Sequence, residues 1–226
     1  MIRFVSNFGH DKDLAARLRE AMAQPLDGWR EVYESFSPAD LKTGERRPRV
    51  PEPGEDCRRA AVLMPVLLET EEARLVYTLR RDHLHDHAGQ ISFPGGNPEP
   101  GDASLLATAL REAKEEINLR ADLVEVIGEL EELYIPPSGF LVRPFVGLLP
   151  QEDELTLDPE EVEAIFSVSL EELMSPEAVK KVIWERDGRL YEAPVFAVAG
   201  HEIWGATAAM TAGLLARLGW EVGIED

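Results

Sequence analysis

The sequence predicts a layered α/β domain with an N-terminal helical extension, and three observations predict it. Short apolar runs of strand composition alternate with helical segments, a pattern that suits helices packed on a sheet. Residues 103–117 carry one apolar stripe, Leu106, Leu110, Ala113 and Ile117, at helical spacing. The chain has 226 residues, 44% of them hydrophobic, enough for one large domain or one domain with extensions.

The elements follow in order. Residues 12–24 have helical spacing without glycine or proline, so a helix is expected there, packed on the domain or on a second subunit in a homodimer. Residues 35–59 are rich in proline, glycine and charge and read as an extended arm with little core of its own. Residues 1–57 are therefore expected to form an appendage, and residues 58–226 the main domain. Residues 60–68 read as a buried strand, and 74–81 as its neighbour after a Glu-rich turn. Strands are expected over 123–134 and 140–148, joined by Ile135–Phe140. A short helix follows at 169–174, then a hairpin over 181–198 turning at Asp187–Gly188. A closing helix spans 204–218 and stops at Gly219.

Composition excludes several classes. The net charge of −20 repels polyanions, so neither nucleic acid nor an anionic membrane is an expected partner. A small phosphorylated substrate stays open, because a bound divalent cation inverts the local sign. One cysteine, Cys57, forms no internal disulfide and fits a reducing compartment. The run over residues 60–68 is too short to span a bilayer, and the N-terminus has no signal-peptide core. A cytoplasmic protein is expected.

The helix over 103–117 carries the chemistry. Asp102 is placed to cap its start and Asn118 to end it in a left-handed turn. Glu112 and Glu116 are four residues apart and point the same way, with Glu115 on the adjoining flank. Arg111 lies beyond Glu115, within reach of a charge-assisted hydrogen bond. Two readings stand: a solvated acidic face, or a hard-cation site, since magnesium takes carboxylates together with substrate phosphates. The preceding stretch, FPGGNPEPGD at residues 93–102, favours the second. Gly95 and Gly96 let the backbone approach a ligand closely, while Pro94, Pro98 and Pro100 stiffen the loop.

Gly96 followed by Arg111-Glu112-Ala113-Lys114-Glu115-Glu116-Ile117-Asn118-Leu119 resembles the Nudix box, G-x5-E-x7-R-E-U-x-E-E-x-G-U, where U is apolar. The stretch from Gly96 to Arg111 is one residue longer than that pattern, Asp102 is the acid nearest its early Glu, and Asn118 replaces its Gly. The resemblance implies a Nudix-type α/β/α sandwich with a central mixed sheet over residues 58–226. It also implies hydrolysis of a nucleoside diphosphate linked to another moiety, with Mg2+ or Mn2+ as cofactor. By the same carry-over, Glu112, Glu115 and Glu116 ligate metal, one of them serving as base. Arg111 completes the catalytic group, and the Gly96 carbonyl joins the ligands. Cations bridging a diphosphate neutralise charge on the transferring phosphorus.

Upstream, Thr78-Leu79-Arg80, Gly89 and Phe93-Pro94-Gly95-Gly96 resemble the signature of the coenzyme A pyrophosphatases within that family. Arg81 and His85 depart from it. Residues 200–208, with Gly200-His201 and Ile203-Trp204-Gly205-Ala206-Thr207, resemble the same subfamily, as do Pro137-Ser138-Gly139 and Pro144-Phe145-Val146-Gly147. The implied substrate is coenzyme A or a related nucleoside diphosphate derivative. Arg80 and Arg81 would grip phosphate, and Gly89, Phe93 and Gly95 would line the substrate. Rival readings are a Nudix enzyme for NADH or an ADP-sugar, and a catalytically silent Nudix fold serving as a ligand sensor.

Other residues were weighed. His83, His85 and His87 alternate as a zinc motif would, but a loop at the substrate mouth is the favoured reading. His201 reads as a structural residue, and the helix that starts at Trp204 as core. Glu160, Glu161 and Glu163 form either a solvated acidic turn, which is favoured, or a loop bearing a catalytic carboxylate.

Overall fold

A computed structural model describes residues 14–68, 72–81, 89–150, 155–186 and 188–221. In chain order these form α1 (Leu14–Ala23), α2 (Trp29–Ser35), β1 (Ala39–Asp40), β2 (Arg58–Leu68), β3 (Ala73–Arg80), β4 (Ile91–Ser92) and β5 (Gly95–Gly96). Then come α3 (Leu105–Ile117), β6 (Glu125–Glu129), β7 (Leu133–Ile135), β8 (Phe140–Pro150), β9 (Val162–Ser169) and α4 (Leu170–Met174). The chain closes with β10 (Val179–Arg186), β11 (Arg189–Val198), β12 (His201–Ile203) and α5 (Gly205–Arg217).

Strand β2 organises the main sheet. Its side chains alternate between faces, as a period of two requires. Ala60, Met64 and Val66 enter one apolar cluster, while Ala61 and Leu63 enter another. On the second face lies α3, through Ala109, Ala113 and Ile117. On the first lie α1, α2 and α5, through Leu18, Tyr33 and Leu214. Helices therefore cover both faces, the expected α/β/α sandwich. The sheet runs β4-β3-β2-β8-β6, with β9 beside β3, β5 beside β2 and β7 beside β8. It is mixed: β2 and β8 are parallel from Arg58↔Phe140 to Leu68↔Pro150, while its other pairings are antiparallel. A second sheet runs β1-β11-β10, with β12 on the same β11. Among the described residues no helix is long and apolar enough to cross a membrane.

The expected strand over 123–134 divides into β6 and β7. Both pair with β8, but on either side of Pro144, which has no amide to offer a continuous partner. Leu130 donates its own amide to the Pro144 carbonyl at 2.9 Å as it crosses the gap. The expected hairpin at 181–198 forms between β10 and β11, and Gly188 takes φ 73° at its turn; Asp187 lies outside the described residues.

The N-terminal arm departs from its expected lack of core. Phe36 is fully buried and stacks on Phe196 with centroids 5.1 Å apart. Asp40 folds the next turn by accepting from the amides of Lys42 at 2.8 Å and Thr43 at 3.2 Å. Strand β1 pairs with β11 through Ala39↔Glu192 and Asp40↔Tyr191. Tyr33 packs closely on α5: a Cβ at Gly213 would lie 2.7 Å from its ring. The Tyr33 hydroxyl donates to the Glu131 carbonyl at 2.9 Å, and Arg217 donates to the Glu131 carboxylate at 2.6 Å. Helix α1 buries Leu18 and Met22 in the same cluster.

Leu18 is fully buried, so Leu18→Ala is expected to cost about 2–5 kcal/mol in urea unfolding, within one cooperative transition. A separate early transition, or no loss, would show that α1 is not part of the cooperative core.

Candidate functional site

The site forms where α3 passes the double-glycine loop. Ser104, not Asp102, caps α3: its hydroxyl accepts from the Ala107 amide at 3.1 Å. Asp102 sits two residues earlier and ties the loop together. It accepts from the Glu99 amide at 2.9 Å, from the Thr108 hydroxyl at 2.9 Å and from Arg111 Nε at 3.1 Å. The Arg111 guanidinium, followed by the Glu99 amide, holds the Asp102 carboxyl down to about 2. At its other end α3 stops as expected, with Asn118 at φ 51° and its amide bonded to the Ala113 carbonyl.

Arg111 joins loop and helix. Besides Asp102, it donates to the Asn97 carbonyl at 3.0 Å and to Glu115 at 2.9 Å, and it lies 3.0 Å from Glu112 Oε1. Glu115 is thus held by Arg111, as its spacing suggested. Glu116 faces the sheet instead. Its carboxylate is 2% exposed, and Oε1 accepts from Arg80 Nη1 at 3.1 Å across the layers. Among the described residues its buried Oε2 has no hydrogen-bond partner. Burial pushes Glu116 up to about 8; Arg80 opposes the shift, while Glu112 and Glu161 add to it. Burial likewise raises Glu112, opposed by Arg111 and reinforced by Glu115 and Glu161.

The two glycines have different tasks. Strand β5 lies on β2 with Ala61↔Gly96 and Val62↔Gly95 in register. A Cβ at Gly95 would lie 2.3 Å from the Ala61 carbonyl oxygen, which cannot retreat. A Cβ at Gly96 would lie 2.5 Å from Glu112 Oε1, the end of a flexible side chain. Gly95 therefore lets the sheet close, and Gly96 lets the Glu112 carboxylate approach the loop backbone.

Glu161 reaches the group as well, since its charge acts on both Glu112 and Glu116. Its loop is pinned to the end of α3: the Asp158 amide donates to the Glu116 carbonyl at 2.9 Å and the Thr156 amide to the Ile117 carbonyl at 3.1 Å. Glu160, Glu161 and Glu163 are all exposed, Glu163 on β9. Among the described residues no three acidic, His or Cys side chains close on a single point. Glu112 and Glu115 lean to Arg111, and Glu116 to Arg80. The group is nonetheless rich in hard oxygen donors. The unpartnered Glu116 Oε2 and the mutual repulsion of Glu112, Glu116 and Glu161 are both relieved by a cation. The residues present fit a divalent metal.

Beside this group opens a cavity of about 410 Å³, walled by Arg80, Phe93 and Gly95 on one side and by Trp204, Gly205 and Thr207 on another. Phe93, a buried ring stacked on Tyr77 with centroids 5.0 Å apart, lines the cavity. Gly89 turns the chain at φ 67° and donates to the Arg80 carbonyl at 3.1 Å. Arg81 is not in the cavity wall; its amide donates to the Glu161 carbonyl at 3.1 Å. His83, His85 and His87 lie outside the described residues. His201 stacks on Phe166 with centroids 4.1 Å apart. Trp204 is 42% exposed, although the α5 helix it precedes is core. Arg47, Arg49 and Arg186 also line the cavity, and sequence reasoning missed them. The signal was present: Arg46-Arg47-Pro48-Arg49 is a basic run in a strongly acidic chain.

The model of the NUDIX domain matches residues 57–192, more than half of the chain. The chain belongs to the Nudix family. It is a Nudix hydrolase by that membership, and such enzymes generally use divalent metal ions. It is 41% identical over 151 residues to the "Uncharacterized Nudix hydrolase NudL" of Yersinia pestis (strain Pestoides F), covering 67% of this chain and 75% of that protein. The NudL of Yersinia pseudotuberculosis serotype O:1b matches with the same identity and coverage. A NUDIX hydrolase from Alicyclobacillus acidocaldarius shares the fold, with a TM-score of 0.51 and 17% identity over 72% of this chain and 93% of that one.

The contrast between the glycines is testable. Gly95→Ala is expected to destabilise the Nudix domain by about 1–3 kcal/mol in urea unfolding, because backbone blocks the new methyl. Gly96→Ala is expected to change stability by no more than about 0.5 kcal/mol yet to lower turnover at least about tenfold by displacing Glu112.

Proposed function

We propose that this Nudix hydrolase cleaves the diphosphate bridge of coenzyme A or an acyl-CoA, releasing 3′,5′-ADP and (acyl)phosphopantetheine. One observation carries the reading. The two stretches that resemble the coenzyme A pyrophosphatases are far apart in sequence, yet Arg80, Phe93 and Gly95 of the first and Trp204, Gly205 and Thr207 of the second wall one cavity, which Arg80 joins to Glu116 of α3. Arg80 bridges the two regions, bonded to Glu116 and lining the cavity.

In this reading Glu112, Glu115, Glu116 and the Gly96 carbonyl would hold Mg2+ or Mn2+. When bound, the metal supplies charge neutralisation for the diphosphate and acidifies water. The chain's own residues do the rest. Arg80 fixes the Glu116 carboxylate and presents positive charge where a phosphate would dock. Arg111 holds the loop to the helix and keeps Glu115 and Glu112 at its rim. Glu161 adds negative charge near Glu112 and Glu116 from an exposed loop pinned to α3. Phe93 and the first turn of α5 line the cavity.

The test is product formation from coenzyme A beside NADH and ADP-ribose, with Mg2+ or Mn2+ added. Coenzyme A is expected to be the preferred substrate, yielding 3′,5′-ADP; brisk turnover of another with little of coenzyme A would reject the reading. Glu116→Gln is expected to lower that turnover at least about a hundredfold while the protein stays folded. Unchanged turnover would remove Glu116 from the metal site.

A further inference from the structure

In a chain of net charge −20, four arginines, Arg47, Arg49, Arg80 and Arg186, line one cavity. Arg80 is answered by Glu116. Arg49 is not answered in the same way. It is 3% exposed; among the described residues its Nη2 donates to the Phe36 carbonyl at 3.3 Å and its buried Nε has no hydrogen-bond partner. Among the described residues neither Arg47 nor Arg49 has a carboxylate within ion-pair distance; Arg47 lies over the Tyr191 ring at 5.6 Å. Burial, and then the charge of Arg47, push Arg49 down to about 10. A buried cation beside a second cation is costly unless an anion joins them.

A second, independent feature opens on the same cavity. Gly205, Ala206 and Thr207, the first turn of α5, line it. The N-cap residue of this 13-residue helix, Trp204, makes no side-chain cap hydrogen bond. The Thr207 hydroxyl donates to the Ile91 carbonyl at 2.9 Å. Among the described residues, neither Trp204 nor Thr207 turns its side chain to the leading amides, and the helix presents its positive end to the cavity. Exposed Trp204 adds a flat aromatic face next to that turn.

We propose that Arg47, Arg49 and the first turn of α5 form a phosphomonoester subsite, which holds a ribose-linked phosphate of the substrate apart from the diphosphate that is cut. The inference deepens the coenzyme A reading and rests on it: coenzyme A carries a 3′-phosphate, whereas NADH and ADP-sugars carry none. A phosphomonoester near pH 7 has about −1.5 to −2 charges and three acceptor oxygens, a match for two guanidinium groups and a helix start. Arg47 and Arg49 precede residue 57, where the family match begins, so the subsite is built by this chain's own N-terminal arm. The pairing of β1 with β11 and the bond from the Tyr134 amide to the Arg49 carbonyl at 2.8 Å bring the arm there.

The test is metal-free calorimetry at low salt with 3′,5′-ADP and 5′-AMP, on the full chain and on Arg47→Gln. The wild type is expected to bind 3′,5′-ADP at least about tenfold more tightly than 5′-AMP, the scale of one charge-assisted contact. Arg47→Gln is expected to lose most of that preference while binding 5′-AMP as before. Arg49→Lys, checked by its melting temperature, is expected to weaken the preference too, since an ammonium cannot reproduce the planar fork. Equal affinity for the two nucleotides in the wild type, or a preference that Arg47→Gln retains, would overturn the proposal. Failure of the coenzyme A reading has a different signature: the preference for 3′,5′-ADP persists, but coenzyme A is not hydrolysed.

Discussion

The arrangement turns on one buried contact, the Arg80–Glu116 pair. A carboxylate at 2% exposure is costly to ionise, and a single guanidinium answers only one of its oxygens. The pair links the last turn of α3 to the end of β3, so helix position and strand register are set together. It also orients the other acids. With Glu116 turned inward to Arg80, Glu112 and Glu115 remain on the outer side, where Arg111 gathers them with Asp102 and the loop carbonyl of Asn97. Two arginines thus divide the acidic patch into a buried half and a solvent-facing half.

The double glycine makes this division possible. Without side chains, β5 can press against β2 and still leave room for the Glu112 carboxylate. Stiff prolines on either side hold that approach without requiring further contacts. The loop therefore acts less as a flexible lid than as a fixed ledge between the sheet and the helix.

Global and local electrostatics point in opposite directions here. The chain as a whole repels anions, yet its cavity concentrates arginines and a helix N-terminus. At physiological salt, exposed charges beyond about 8 Å are largely screened, so the near groups decide what binds. The acidic exterior lowers nonspecific attraction for polyanions, while the cavity presents its arginines and a helix start at close range.

The sequence by itself determined the local features of this protein. The apolar stripe and left-handed end of α3, the alternation of β2 and the hairpin of β10 and β11 all depend on neighbours within a few residues. That acids cluster at the end of α3 was legible for the same reason, but spacing alone set Glu112 and Glu116 on one side, whereas Arg80 draws Glu116 inward and Arg111 keeps Glu112 with Glu115. Competing near partners were harder to read: Asp102 looked like a cap, but Arg111 claims it and Ser104 caps instead. Long-range contacts were decided only by the tertiary structure. Glu116 became the buried acid because Arg80 arrives from another layer, and Glu161 joined because its loop bonds to the end of α3. Phe36 became core, and Arg47 and Arg49 became cavity wall, because β1 pairs with a strand some 150 residues away, a loop closure whose entropic cost grows slowly with length. No local pattern encodes such a meeting, because it depends on which distant surface the folded sheet offers.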